Sequence, residues 1–125
     1  MTEIQFDTGL RSYRVGGGIL RFNPTDPNLY ARFLDALEEL AAMEQTLPQG
    51  TGAISALRQV DRKAKAILQR VFGEENDISA VFGGVNLMAV GENGHRILEN
   101  FVSALEPILT EGAVRWAKEK TEAEG

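Results

Sequence analysis

Residues 81–112 read VFGGVNLMAVGENGHRILENFVSALEPILTEG, from Val81 to Gly112. A glycine-bearing loop carrying apolar residues runs into an amphipathic segment with a proline near its end. Gly83-Gly84 opens the loop, and Asn93-Gly94, a strong turn dipeptide, closes it. From about His95 the apolar residues Ile97, Leu98, Phe101, Val102, Leu105, Ile108 and Leu109 recur at intervals of mostly three and four. That spacing predicts one helical stripe. Pro107 removes a helical hydrogen bond and crowds the carbonyl of Ser103, so a kink or break is expected there. Gly112 offers a second interruption before Val114 and Trp116. The stretch holds no cysteine and only one histidine. It can keep a shape and present a surface, which points to binding or assembly rather than covalent chemistry.

Upstream, the acidic run Glu74 to Asp77 leads into a short helical turn over Ile78 to Phe82, and Gly73 stops the segment before it. From about Ala53 to Phe72, the residues Ile54, Leu57, Val60, Ala64, Leu68 and Val71 form one stripe, with Lys and Arg over most of the other side. Further back, Asp26 can cap free amides and Pro27 suits the first helical position, where a missing N–H costs nothing. Tyr30, Phe33, Leu34, Leu37, Leu40 and Ala41 then make a stripe that Pro48 and Gly50 end near Leu47. Two antiparallel helices joined by a short loop would bury these stripes against each other.

The first part of the chain reads as strand and turn. Ile4 and Phe6 alternate with polar residues, as do Tyr13 and Val15, and Leu20 and Phe22 share a face. Gly16-Gly17-Gly18 suits a tight turn between strands. The segment from Ile4 to Phe22 is therefore a small hairpin or a three-stranded meander. The expected fold is α+β, mainly α, in a single domain over residues 1–125: a hairpin or meander, in a strand-and-turn region to residue 25, packed on a bundle of three to four helices. The helical region covers residues 26–117, its last helix kinked at Pro107, and the charged tail 118–125 is expected to fray.

Composition sets limits on function. At 125 residues, 43% hydrophobic and 25% charged, the chain can bury a core without disulfides or metal. The absence of cysteine fits a reducing compartment. MTEIQFDTGL has no basic region followed by an apolar run, so it does not resemble a signal peptide, and no window is apolar enough for a membrane span. A cytoplasmic location and no membrane partner are expected. The net charge of −5 repels a phosphate backbone, and Arg58, Arg62, Lys63, Lys65 and Arg70 would spread around a helix, so no nucleic acid partner is expected.

The candidate chemical motifs are each better explained structurally. Gly50-Thr51-Gly52-Ala53-Ile54-Ser55 imitates a dinucleotide fingerprint, but a helix precedes it where a strand is needed. A loop with Thr51 near an N-cap accounts for it better. Gly16 to Gly18 lacks the Lys-Ser or Lys-Thr of a phosphate loop. Glu74, Glu75 and Asp77 lack the alternating oxygen ligands of a calcium loop, and read as a solvated capping cluster. His95 has no nucleophile elbow beside it and reads as a surface residue. No catalytic residue, metal or cofactor is expected. Phe82, Leu87, Met88 and Val90 form either a loop tucked over the core or an apolar patch for a partner. Trp116 poses the same choice, as core or as a partner's anchor.

Three further motifs recur in one order: Phe22-Asn23-Pro24-Thr25-Asp26-Pro27-Asn28, then Val81-Phe82-Gly83-Gly84-Val85-Asn86, then Glu99-Asn100-Phe101 with Ala104-Leu105-Glu106-Pro107-Ile108. Their order resembles that of the small tail assembly chaperones of siphophages and of prophages in Gram-positive hosts, from about Ile4 to Gly112. The motifs are structural: Asp26, Pro27, Gly83, Gly84 and Pro107 within them, with Asn93 and Gly94, shape turns and helix ends. The resemblance implies a non-enzymatic protein that binds the tape-measure protein and keeps it soluble while tail-tube subunits assemble. It also implies absence from the finished virion. The tail tube protein is a second candidate partner, and homo-oligomerisation is open. The alternatives are a structural phage protein (a head-tail connector or tail component) or, ranked last, a small ligand-binding or enzymatic domain.

Overall fold

The computed structural model of the chain describes residues 1–47, 50 and 53–124, with side chains as far as Lys118. The hairpin consists of β1 (Arg11–Val15) and β2 (Gly18–Phe22), antiparallel, with Val15 opposite Gly18 and Arg11 opposite Phe22. That register leaves Gly16 and Gly17 as the whole turn. Gly16 takes φ +53°, a left-handed conformation that only glycine adopts without a Cβ clash, and one that suits the twist of a two-residue hairpin. The turn also lies against backbone: a Cβ on Gly16 would sit 2.8 Å from Val81 O.

Of the two alternatives for the N-terminal region, the hairpin forms and the meander does not. Residues 1–10 belong to no strand and are exposed throughout. The amide of Asn23, just past β2, donates to Thr8 O at 3.1 Å, and Gly9 N donates to Asp7 Oδ1 at 2.8 Å. These bonds hold the arm beside the end of β2, so it does not turn back along β1.

The helices are α1 (Pro27–Gln45), α2 (Ile54–Phe72), α3 (Ile78–Phe82) and α4 (Ile97–Glu124). Asp26 caps α1 by accepting from Asn28 N at 2.9 Å, and Pro27 opens the helix as expected. Asp77 caps α3 in the same way through Ala80 N, and Gly83, left-handed, ends it. The expected roles of Pro48 and Thr51 lie outside the described residues. α4 begins at Ile97, two residues later than His95, because a loop bridge between Val90 and Arg96 precedes it. The helix runs on through Pro107 without a break, and through Gly112, where an interruption was expected. The segment after Lys118, expected to fray, belongs to α4 as far as Glu124.

The core gathers Leu20 and Phe22 of β2, Leu29, Phe33, Ala36 and Leu40 of α1, Ala64, Leu68, Val71 and Phe72 of α2, and Leu98, Leu105 and Leu109 of α4. α1 is turned from its expected orientation: Leu29 and Ala36 are buried, whereas Leu34 and Ala41 face solvent. Both orientations present an unbroken apolar stripe. α1 lies between α2 and α4, and that packing selects the buried face. Ile54, at the start of the α2 stripe, is likewise exposed.

A buried asparagine ties the hairpin to the helices. Asn76 is 3% exposed. Its side-chain oxygen accepts from Arg21 N at 2.7 Å, and its amide donates to Arg21 O at 3.0 Å and to Phe72 O at 2.9 Å. The side chain thus pairs with β2 as a neighbouring strand would, covering its outer edge. Gln69 completes the corner by donating to the carbonyls of Gly73 and Asn76. No helix among the described residues is long and apolar enough to cross a membrane.

Candidate partner-binding groove

The widest helix stripe is the source of the site. In α4, Leu98, Leu105 and Leu109 are buried, but Ile97, Phe101 and Ile108 on one flank are only half-buried. A stripe this broad exceeds what one core face can cover. Its uncovered flank faces the hairpin across an open groove of about 480 Å³. Tyr13 and Val15 of β1 form one wall, Phe82 of α3 closes one side, and Phe101, Ala104 and Ile108 form the other wall.

Aromatic rings run from the hairpin into the helices beneath this groove. Tyr13 stacks on Phe22 with centroids 4.6 Å apart, and Phe22 meets Phe72 at 5.2 Å. Phe72 then meets Phe101 edge-on at 6.3 Å, and Phe101 meets Phe82 edge-on at 5.2 Å. Offset and edge-to-face contacts of this kind hold their rings in fixed relative positions. The groove is largely apolar, with Tyr13, Arg14 and Asn100 the lining residues that carry polar side-chain groups.

The loop singled out from the sequence divides between core and surface. Leu87 is 0% exposed and Met88 is also buried, so neither forms a surface patch here. Polar partners distant in sequence draw them in. Asp61 Oδ1 of α2 accepts from Leu87 N at 2.8 Å, and Asn86 donates to Leu57 O at 3.2 Å. The loop in turn receives the first turn of α4, as Leu98 N donates to Leu87 O and Ile97 N to Ala89 O. Val90, by contrast, is 65% exposed and stands away from the groove. Phe82 lines the groove, and only this one of the five expected contact residues does so. Trp116 is 42% exposed and lines a separate, more polar cleft with Asp7, Asn23 and Arg115. The asparagine-glycine turn is fastened to α4 by paired amides, Asn93 Nδ2 donating to Asn100 Oδ1 at 2.9 Å.

Asp61 carries a measurable share of this arrangement. Its second oxygen pairs with Lys65 Nζ at 3.0 Å, and both side chains are mostly buried. Asp61→Ala should cost about 1.5–3 kcal/mol, the range for a hydrogen bond to a charged group. Thermal denaturation reads the loss. Hydrogen exchange localises it, with the Leu87 amide exchanging faster while Arg21 stays protected.

No protein-family model, curated protein or solved structure matches the chain.

His95 is exposed and pairs with Glu99 at 3.3 Å. It faces a second open groove, which Ser103 also lines, but no hydrogen bond joins His95 to that serine. Among the described residues no three His, Asp or Glu side chains converge as metal ligands would. Glu74 and Glu75 are exposed, and Asp77 serves α3 as its cap. Tyr13, Val15, Ala104 and Ile108 were not expected as contact residues. The breadth of the α4 stripe is the sequence signal that could have found two of the groove residues, Phe101 and Ile108.

Proposed function

We propose that the chain is a non-enzymatic tail assembly chaperone, acting in the host cytoplasm on the tape-measure protein. The observation that carries the reading is the apolar groove between β1 and α4. A client segment presenting apolar side chains would exchange water for Tyr13, Phe101, Ala104 and Ile108, the exchange by which a chaperone keeps a hydrophobic chain soluble. The resemblance of the motifs around Pro27, Gly83 and Pro107 to tail assembly chaperones names the client. Tail-tube subunits would then displace the chaperone during polymerisation.

Co-expression with the tape-measure protein encoded nearby should yield a soluble complex. A tape-measure protein equally insoluble with and without this chain would refute the reading. Ala104→Arg gives a sharper test, because Ala104 is exposed and the substitution leaves the core alone. A charge placed in the groove must lose hydration when a client enters, so binding should weaken by roughly tenfold or more. Circular dichroism of the variant should be unchanged. Mass spectrometry of purified particles should find the chain absent, since a structural subunit would remain.

A further inference from the structure

We propose that the arm preceding β1 in one copy of this chain adds as a strand to the outer edge of β1 in a second copy, seating Ile4 and Phe6 in the apolar groove. The register defines the edge. Val15 and Gly18 flank the two-residue turn as a bonded pair, so Arg11, Tyr13 and Val15 direct their peptide groups at β2, and Ser12 and Arg14 direct theirs outward. On the opposite edge of the sheet, the outward groups of Arg21 are taken by Asn76. On β1 the outward groups have no partner among the described residues. The groove opens along this unpaired edge, with Tyr13 to Gly16 in its wall. An unpaired edge bordering an apolar groove accepts an extended segment with an apolar residue at every second position.

The chain itself carries such a segment. Ile4 and Phe6 are 83% and 75% exposed, and alternation places them on the same face of an extended strand. Glu3 to Asp7 spans about 17 Å at ~3.3 Å per residue, the length of the five-residue β1. Charge complementarity favours the same docking. With Ile4 and Phe6 facing the groove, Glu3 and Asp7 fall on the other face of the added strand, the face on which alternation places Arg14 and Arg21. Among the described residues neither arginine has an ion pair. A second copy is favoured over the chain's own arm because Asn23 and Asp7 hold residues 7–9 beside the end of β2, away from the groove of the same molecule. The docking needs no client and is tested without one; a client using the same groove would have to displace the arm.

The chain contains no cysteine, which makes disulfide trapping clean. Phe6→Cys and Ala104→Cys chains, one of them isotope-labelled, are mixed without client, oxidised and analysed by mass spectrometry. The expected product is a link between position 6 of one copy and position 104 of the other. It should form several-fold more than with a control pair, Phe6→Cys and Ala56→Cys, whose second site is exposed on α2. Sedimentation of the unsubstituted chain should show mass above the monomer rising with concentration, and Phe6→Asp should abolish the rise. A monomer at every concentration overturns the proposal. So does a 6–104 link no stronger than the control.

Discussion

Gly112→Ala should lower the melting temperature by roughly 8–12 °C. Helix propensity alone argues for the opposite sign, since alanine inside a helix is favoured over glycine by about 1 kcal/mol. The decisive distance is at the tertiary contact. A Cβ on Gly112 would lie 1.9 Å from the carbonyl oxygen of Pro24 and 2.5 Å from its carbonyl carbon. Those atoms cannot swing aside as a side chain would. Asn23 Oδ1 accepts from Thr25 N at 2.9 Å and from its hydroxyl at 2.7 Å, and Asp26 N donates to Asn23 O. The turn that starts α1 is thus braced where α4 crosses it. Either α4 or the turn must move by more than an ångström. Such overpacking costs about 1–3 kcal/mol and occasionally more, and at this separation the upper end applies. A net loss of about 2–3 kcal/mol corresponds to the stated shift in a domain of this size. An unchanged or raised melting temperature in calorimetry would show that the α1 turn yields freely.

The same glycine illustrates what local sequence reveals. Asp26 and Pro27 fix the start of α1, and Asp77 and Gly83 bound α3, through atoms within a few residues of each other. Their sequence signatures therefore agree with the structure. Gly112 has the composition of a helix breaker, yet it lies inside α4, where the backbone of Pro24 leaves no room for a side chain. That reason sits 88 residues away and leaves no local mark. The buried face of α1 was undetermined for a related reason. Leu29, Phe33 and Ala36 form a stripe one residue from the stripe of Tyr30, Leu34 and Leu37, and only α2 and α4 decide between them.

The groove was hidden in another way. Phe101 and Ile108 have the spacing of core residues, and nothing in a single helix says which flank a neighbour will cover. The hairpin faces α4 across the groove with Tyr13 and Val15 and leaves Ala104 open. Leu87 and Met88 were ambiguous because their burial depends on Asp61, a charged residue on α2 that reads as part of a solvated face. Polar residues that perform buried structural work, as Asp61 does, hide in this way. They are the least visible to hydrophobic periodicity, which registers only apolar side chains.

Asn76 is the strongest instance, and Asn76→Ala should destabilise the domain by about 3 kcal/mol or more. Removing the side chain leaves Arg21 N, Arg21 O and Phe72 O without partners at a position that is 3% exposed. Each buried polar group left unpaired costs about 1–3 kcal/mol, and water entering at the edge of β2 recovers part of the sum. Asn76→Asp should be worse at neutral pH despite its near-identical shape. The carboxylate can still accept from Arg21 N, but it loses both donated bonds and sets a negative charge against two carbonyl oxygens. The expected order of melting temperatures is parent, then Asn76→Ala, then Asn76→Asp, with the first gap about 10 °C or more. Hydrogen exchange should show the Arg21 amide losing protection before the helix amides of α1. An Asn76→Asp chain as stable as Asn76→Ala would mean that the carboxyl is held protonated and still donates to a carbonyl. The consequence reaches the groove, because β2 positions β1, and β1 supplies Tyr13 and Val15. A chain whose hairpin is loosened at Asn76 should therefore lose client binding before it loses its helices, a separation that exchange and co-expression measured on one variant can detect.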